Sequence, residues 1–177
     1  MSAAPHPRIR RLESFGAPEV DDLCDVLIDC VEGGASVSFL LPMTREKAQA
    51  YWRNMAASSA RGERVVFVAE DPTGAIIGTV QLVWAPSENQ PHRGSISKLL
   101  VHRRARRLGV GAAQMAAAEE HALEAGKTLL VLDTAGGGAE RLYARHGWQR
   151  CGEIPNYALL PDGTPCATTI FFKSLGG

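Results

Sequence analysis

The alternation of apolar and polar residues predicts the first elements of the fold. A weak alternation over residues 8–12 predicts an edge strand. Apolar residues then recur every three or four positions over residues 20–31, between acidic ones, which is typical of an amphipathic helix. Gly33 and Gly34 are expected to end that helix, and Thr44 is expected to cap a second one that runs to about residue 60. Between the helices, residues 33–42 are either a connector packed on the core or a wall over a bound substrate.

Runs of β-branched residues predict further strands in the middle and at the end of the chain. Residues 64–70 and 75–84 flank the turn Asp71-Pro-Thr-Gly74 and predict an antiparallel hairpin. Residues 148–154 and 168–173 predict two later strands, with an extended segment over residues 156–160 between them. The last strand is expected to close the sheet.

A strand, a helix and a second strand follow one another in the centre of the chain. The first strand begins at Ser95, and an Ala-rich helix follows Gly111 and ends at Gly126. Residues 128–133 are almost wholly apolar, which predicts a strand buried on both faces. This order predicts a right-handed βαβ unit with parallel strands. A short helix is then expected over residues 139–146.

Composition limits the class of protein and its partners. The chain has 177 residues, 45% of them hydrophobic, with 19 basic and 19 acidic residues and a formal net charge of zero. This suits one α/β domain and gives no overall field for nucleic acid or a membrane surface, so neither is expected as a partner. Residues 1–8 have no apolar signal core, and we expect a cytoplasmic protein. The four cysteines have no CxxC pair, so we expect buried thiols and no metal site.

The chemistry is concentrated in the segment Arg106-Arg-Leu-Gly-Val-Gly111, at the start of the central helix. The first turn of a helix has unpaired N–H groups, and glycines let an anion approach them, which indicates a pyrophosphate site. The GK[ST] ending of a Walker loop and the GxGxxG pattern of a dinucleotide fold are both absent. A solvated basic face is the alternative, and a nucleic-acid contact is disfavoured because no aromatic residues are interleaved.

In combination these patterns resemble the GNAT superfamily of N-acetyltransferases. The residues that carry the resemblance are the strand from Ser95, then Arg106-x-x-Gly109-x-Gly111, and then Ala139-x-x-Leu-Tyr143-x-x-x-Gly147-Trp148. Residues 33–39, 132–134 and 161–176 are similar to the tabtoxin-resistance branch. The resemblance implies one α/β domain over residues 1–177 with a mixed, mostly antiparallel central sheet. It also implies helices on both faces of the sheet and a central parallel βαβ unit.

The resemblance implies acetyl-CoA as the co-substrate, without a metal. Its pantetheine arm would pair with the central strand, whose end would splay from the next parallel strand, and a backbone N–H near Leu100 or Val101 would polarise the thioester carbonyl. The implied donor-binding residues are Leu99, Leu100, Val101, Arg106, Arg107, Leu108, Gly109, Val110, Gly111 and Ala112.

Proton transfer is the less defined part of the implied site. Tyr143 lies where the family often has the general acid for the departing thiolate. An acceptor ammonium of pKa ~10 must lose a proton before it attacks, and Ser95 stands where many members have the acidic base. Asp133, at the end of the next parallel strand, is the best replacement, directly or through water held by Ser95 or Ser97. Glu153 is a weaker candidate.

The function expected from this resemblance is transfer of an acetyl group from acetyl-CoA to an amine of a small molecule by direct attack. An amino-acid-like antibiotic or toxin is the acceptor that the tabtoxin branch suggests. Acetylation of a protein or peptide amine would require an open groove beside Tyr143. A regulatory module that binds acyl-CoA without turnover is the third alternative, because the usual acidic base is missing. A homodimer is compatible with all three.

Overall fold

In the computed structural model, which describes residues 6–177, seven strands form one mixed sheet. The strands are β1 (Arg8–Arg11), β2 (Arg64–Glu70), β3 (Ile76–Trp84), β4 (Arg93–Val101), β5 (Leu129–Thr134), β6 (Gln149–Leu159) and β7 (Pro165–Ser174). The helices are α1 (Ala17–Glu32), α2 (Arg45–Ala60), α3 (Val110–Glu124) and α4 (Gly137–Arg145), and a short 3₁₀ helix spans Arg103–Ala105. Residues 1–5, which belong to the N-terminal segment expected to have no signal core, lie outside the described part.

The strand order is β1-β2-β3-β4-β5-β7-β6, and only β4 and β5 are parallel neighbours. The order β4-α3-β5 and the parallel pairing predicted for the βαβ unit are therefore confirmed. β7 does not close the sheet as predicted, because it pairs with β5 and leaves β6 at the edge. The strand predicted over residues 148–154 and the extended segment after it are one strand, β6, with a register shift between Ile154 and Ala158. β6 is mostly exposed, as an edge strand can be, whereas β7 carries the buried Phe171.

Two cores lie on opposite faces of the sheet. Helices α1 and α2 cover one face, where Leu27, Trp52 and Val66 are fully buried. Helix α3 covers the other face, where Met115 packs in a cluster with Leu82. The Thr44 hydroxyl accepts a hydrogen bond from the Lys47 backbone N–H (3.2 Å), so the predicted cap of α2 is confirmed. The predicted arrangement with helices on both faces is likewise confirmed.

Strand β5 is not buried on both faces as its apolar sequence predicts. Leu130 and Leu132 are buried against the α3 side, whereas Val131 is partly exposed and Asp133 is exposed on the other side. The reason is an open cavity on the α1–α2 side of β5. The apolar sequence of this strand thus serves a core on one face and a site on the other.

Two further expectations concern thiols and membranes. Cys24 and Cys30 are buried as predicted, but Cys151 is exposed and Cys166 is only partly buried, so the expectation of buried thiols is half right. Across residues 6–177, no helix combines the length and the apolar character that crossing a bilayer requires.

Candidate active site

The two central parallel strands separate soon after they begin to pair. β4 and β5 are paired only at Arg93 with Leu129, Gly94 with Leu130 and Ser95 with Val131. Beyond Ser95, β4 stays on β3 but loses regular register between Thr79 and Gln81, and Lys98 adopts a φ of 52°. This bulge turns β4 away from β5. The splayed strands implied by the family resemblance are therefore present, and the gap begins directly after Ser95.

A cavity of about 880 Å³ opens at this gap. Its lining comes from residues 35–40 of the α1–α2 loop, residues 95–99 of β4, residues 131–135 of β5 and residues 157–159 of β6. Residues 35–40 thus form a wall of the cavity, and Ala35, Val37 and Phe39 of the same loop also pack against the core, so this loop has the features of both alternatives. Ser95, Asp133 and Tyr143 all line the cavity, so the three predicted catalytic residues share one site. Glu153 lines a separate depression of about 410 Å³ instead.

Asp133 and Tyr143 reach the cavity from opposite faces of the sheet. Leu130, Leu132 and Tyr143 belong to the core on the α3 side. Because strand residues alternate between faces, Asp133 points to the α1–α2 side. One carboxylate and one phenol therefore flank the gap.

Tyr143 is held tightly by aromatic neighbours. Its side chain is 5% exposed, and its ring centroid lies 6.1 Å from that of Trp148 and 5.6 Å from that of Phe171. Burial, reinforced by the negative charge of Asp133, raises the pKa of Tyr143 to about 12, while Thr134 opposes the shift. The phenol therefore stays protonated well above neutral pH and can donate a proton into the cavity.

Asp133 is anchored from the neighbouring strand β7. Its Oδ2 accepts a hydrogen bond from the Thr168 hydroxyl (3.2 Å), which also lies 3.3 Å from the Thr134 carbonyl oxygen. No basic side chain within residues 6–177 lies within ion-pair distance of this carboxylate. An exposed, unneutralised carboxylate on the cavity wall is able to accept a proton from an ammonium group.

The glycine loop before α3 has the geometry of an anion site. Gly109 is the N-cap of α3 with a φ of 77° and provides no side-chain cap, so the first amides of the helix have no capping partner. A Cβ at Gly109 would meet no atom within 4 Å, whereas one at Gly111 would lie 3.3 Å from Leu142 Cδ2. The loop therefore leaves its amides open to a ligand. These residues fit the pyrophosphate of acetyl-CoA.

The four arginines around this loop have different roles. Arg103 pairs with Asp29 (Nε to Oδ1, 3.0 Å), and Arg104 lies 3.6 Å from Asp71. Arg106 donates to the Val101 carbonyl oxygen (3.4 Å). In the described part of the chain, the side chain of Arg107 has neither a hydrogen bond nor an ion pair. Arg103 and Arg104 thus fix the loop to the fold, while Arg107 is exposed to solvent beside the helix N-terminus.

Replacing Asp29 by asparagine is expected to loosen the donor loop. Asp29 Oδ2 accepts a hydrogen bond from the Arg103 backbone N–H (2.8 Å), and Oδ1 accepts one from Arg103 Nε (3.0 Å). Burial alone would raise the pKa of Asp29, but the two hydrogen bonds from Arg103 outweigh it and lower that pKa. The variant should lose about 1–3 kcal/mol of stability and bind acetyl-CoA less tightly. Because the folded-state pKa is the lower one, this stability is present above pH ~4 and disappears as pH falls through that pKa.

Thermal unfolding between pH 3 and 8, with calorimetric titration of acetyl-CoA, measures both effects. Asp21→Asn is the matched control, because Asp21 lies on the same helix but 71% exposed in a surface pair with Arg45. It should change stability by less than about 0.5 kcal/mol. Equal effects of the two substitutions would contradict the role given to Asp29.

Two cationic residues of the cavity were missed by the sequence analysis. Lys98 donates from Nζ to the Ser38 hydroxyl (2.9 Å), and Arg64 donates to Gln81 Oε1 (2.6 Å). Burial lowers the pKa of Lys98, Asp133 opposes this and Arg64 adds to it. The sequence offered one signal for Lys98, since it is a charged residue within the apolar run of β4. Arg64 offered none, because it lies at the start of an ordinary strand far away in sequence.

Comparisons with known proteins show the family to which the chain belongs. A model of the acetyltransferase (GNAT) family matches residues 30–148. An uncharacterized N-acetyltransferase from the hisH-hisA intergenic region of Azospirillum brasilense is 30% identical over 127 residues, which cover 71% of this chain and 73% of that protein.

Solved structures share the fold over nearly the whole chain. The ribosomal-protein-alanine N-acetyltransferase of Brucella melitensis has a TM-score of 0.77 at 22% identity, covering 95% of this chain and 99% of that one. A phosphinothricin acetyltransferase from Sinorhizobium meliloti, solved in complex with acetyl-CoA, has a TM-score of 0.79 at 17% identity, covering 97% and 90%. At these identities the likeness concerns the fold.

A split parallel strand pair beside a helix N-terminus with uncapped amides fits the class of acyltransferases that use a CoA thioester. The match over residues 30–148 makes the assignment narrower: the chain belongs to the acetyltransferase (GNAT) family. It is an acetyl-CoA-dependent N-acetyltransferase, as the family resemblance implied.

Proposed function

We propose that the protein acetylates the amine of a small molecule by direct transfer from acetyl-CoA, with an amino-acid-like antibiotic or toxin as the acceptor class. The observation that carries this proposal is the cavity of about 880 Å³ with Asp133 and Tyr143 on its two sides. Walls from the α1–α2 loop and β6 favour a small acceptor over an extended protein segment, which needs an open groove. Similarity of residues 33–39 to the tabtoxin-resistance branch supports the finer acceptor class.

The donor would be held by the residues that the family resemblance implies. The amides of residues 107–112 would bind the pyrophosphate, and residues 99–101 of β4 would pair with the pantetheine arm. Acetyl-CoA supplies the activated acetyl group. The bulge of β4 keeps the gap open, and Arg103 holds the loop in place through Asp29. The protein thus contributes an arrangement that brings donor and acceptor into contact.

Asp133 and Tyr143 would move the two protons of the reaction. Asp133 takes a proton from the acceptor ammonium, directly or through water held by Ser95 or Ser97, which generates the attacking lone pair. Tyr143 donates its phenolic proton to the departing thiolate, and the second proton that the nitrogen loses as the amide forms returns through solvent to the phenolate. Its pKa of about 12 ensures that the proton is present at working pH. Transfer without a covalent enzyme intermediate suits this site, because Cys166 lines the separate depression rather than the cavity, and within residues 6–177 its thiol donates one hydrogen bond, to the Ser36 hydroxyl (3.7 Å).

Replacing Asp133 by asparagine is expected to remove the acidic limb of the pH–rate profile and to lower kcat/KM about 100-fold at neutral pH. An amide of similar shape cannot accept the proton, while acetyl-CoA binding should be unchanged. The profile of kcat/KM for the acceptor between pH 3 and 10, a range that includes the ordinary pKa of a carboxyl group, measures this effect.

Thr168→Val is the control for Asp133, because it removes the hydrogen bond to Oδ2 but leaves the carboxylate in place. That variant should retain the acidic limb. A wild-type profile in the asparagine variant would show that the base lies elsewhere.

A transfer screen tests the proposed function. Thiol release from acetyl-CoA is followed with antibiotic, amino-acid and polyamine acceptors, and N-acetyl products are identified by mass spectrometry. Acetylation of amino-acid-like amines is the expected result. Acetylation confined to a peptide N-terminus or a protein lysine in a parallel assay would contradict the proposal.

A further inference from the structure

Two cations in the cavity have no part in the proton transfers described above. Arg64 and Lys98 both line it, and Asp133 is its acidic residue among those described. The other titratable side chains on the wall are the phenols of Tyr143 and Tyr157. The cavity therefore has one more positive charge than negative charge. A partly buried cation without a counter-charge is unfavourable, so this excess is a place for an anion.

Lys98 is directed by the bulge of β4. Its positive φ of 52° is an uncommon conformation for a residue with a side chain, and Ser38, which accepts its hydrogen bond, has a φ of 80°. A lysine ammonium has three N–H donors, and the described residues supply one acceptor, which is neutral. No carboxylate of the described chain lies within 4 Å of this ammonium. The remaining donors are available to a ligand in the cavity.

Arg64 is fixed in place by neutral partners. It lies in a row across the sheet in which Arg64 pairs with Val83, Val83 with Ser95 and Ser95 with Val131. Its Nε donates to the Ser58 hydroxyl (2.9 Å) and its Nη1 to Gln81. The neighbouring carboxylate of Glu63 accepts from Arg61 and Ser58 instead. Arg64 is therefore a preorganised guanidinium with no ion-pair partner in residues 6–177.

The positions of Asp133, Lys98 and Arg64 would orient an acceptor in the cavity. Ser95 is opposite Val131, so β5 carries Asp133 two residues beyond the last pair, across the gap from the bulge at Lys98. One wall thus has a carboxylate that attracts an ammonium, and the other wall has two cations. An acceptor that carries both an amine and an acid group would satisfy both walls.

We propose that Lys98 and Arg64 bind a carboxylate of the acceptor, so that the substrate is an amine that carries a carboxylate, as an amino acid does. This inference rests on the proposed function and specifies its acceptor. The carboxylate fixes the molecule, and its amine is then directed towards Asp133 and the gap between β4 and β5. Arg64 and Lys98 are positioning residues, because they contact the acid group and not the reacting atoms.

Matched acceptors test this inference in the wild-type protein. A panel of α-amino acids and their carboxamides presents the same amine with and without the acid group. The wild type should acetylate the acids with kcat/KM about 10- to 100-fold higher, the usual effect of a hydrogen-bonded charge pair. The amine of an α-amino carboxamide loses its proton more readily than the amine of the corresponding amino acid. This difference favours acetylation of the carboxamides, so a preference for the acids is not due to amine basicity.

Variants of Lys98 assign the preference to its charge. Lys98→Met should reduce the acid-to-amide ratio to within about threefold of unity, while Lys98→Arg should retain it. Ser38→Ala is the matched control, because it removes the hydrogen bond to Lys98 but leaves the ammonium in the cavity. Its ratio should stay close to that of the wild type. Calorimetric titration with acetyl-CoA should give the same Kd for all four proteins, which excludes a defect in folding.

The outcomes separate this inference from the proposed function. Equal or better acetylation of the carboxamides by the wild type would overturn the carboxylate site and leave small-molecule acetylation intact. A Lys98→Met protein that keeps the preference would overturn the role of Lys98. Binding of acetyl-CoA without acetylation of any acid or amide, together with acetylation of a peptide, would overturn both.

Discussion

Gly109→Val is expected to abolish acetyl-CoA binding, raising Kd at least about 100-fold. Gly109 caps α3 with a φ of 77°, a conformation that a β-branched residue adopts only with strain. Its Cβ position is open, so a valine side chain would project into the space through which the pyrophosphate approaches. Both the backbone geometry of the loop and access to its amides would be lost. Isothermal titration calorimetry with acetyl-CoA measures the change.

Gly126→Val provides a matched control for this result. Gly126 follows the other end of α3, has a φ of 74° and is also open within 4 Å of its Cβ position. The backbone penalty should therefore be similar, and both variants should unfold at a lower temperature than the wild type. Only Gly109→Val should lose donor affinity. Unchanged affinity in that variant would contradict the pyrophosphate assignment.

Tyr143→Phe is expected to lower kcat about 100-fold while leaving the Kd of acetyl-CoA within about threefold. The aromatic packing against Trp148 and Phe171 does not need the hydroxyl, so the fold should be retained. What is lost is the proton that the phenol supplies to the thiolate. Because burial raises its pKa to about 12, the wild-type rate should not fall through loss of this proton until pH is well above 10.

Tyr157→Phe separates the general acid from a tyrosine that merely lines the cavity. Tyr157 is 54% exposed, lies on β6 and also lines the cavity. Its replacement should change kcat by less than about threefold. An unaltered kcat in Tyr143→Phe would assign this residue to packing, and the thiolate would then leave without a proton from the protein.

Much of the fold follows from local patterns in the sequence. Helix α1 buries one face, which gives its sequence a 3.6-residue period, and strand β2 is buried on both faces, which suits its run of β-branched residues. Both elements lie where these patterns predict them. The position of β7 between β5 and β6 depends on pairing across the sheet, which no local pattern contains. The exposure of Asp133 likewise depends on the separation of β4 from β5. The apolar residues of β5 alone do not predict that separation.

The site divides in the same way. The proposed donor loop is contiguous, so the glycine pattern and its place before a helix are enough to predict it. The proposed acceptor side is assembled from Arg64, Lys98 and Asp133, on three separate strands, and only the folded sheet brings them together. Two of the four loop arginines have a structural role, since they pair with Asp29 and Asp71. Both partners are remote in sequence, so this role could not be predicted from the chain. Donor chemistry is therefore predictable from the chain, and acceptor chemistry needs the structure.

The central claim is that the gap between β4 and β5 is where the donor meets the acceptor. A crystal structure of the protein with acetyl-CoA tests it most directly. The account predicts the pyrophosphate on the amides of residues 107–112, with the acetyl group in the gap just beyond Ser95 and facing the phenol of Tyr143. A donor bound with its acetyl group outside this gap, or with β4 and β5 paired past Ser95, would contradict it.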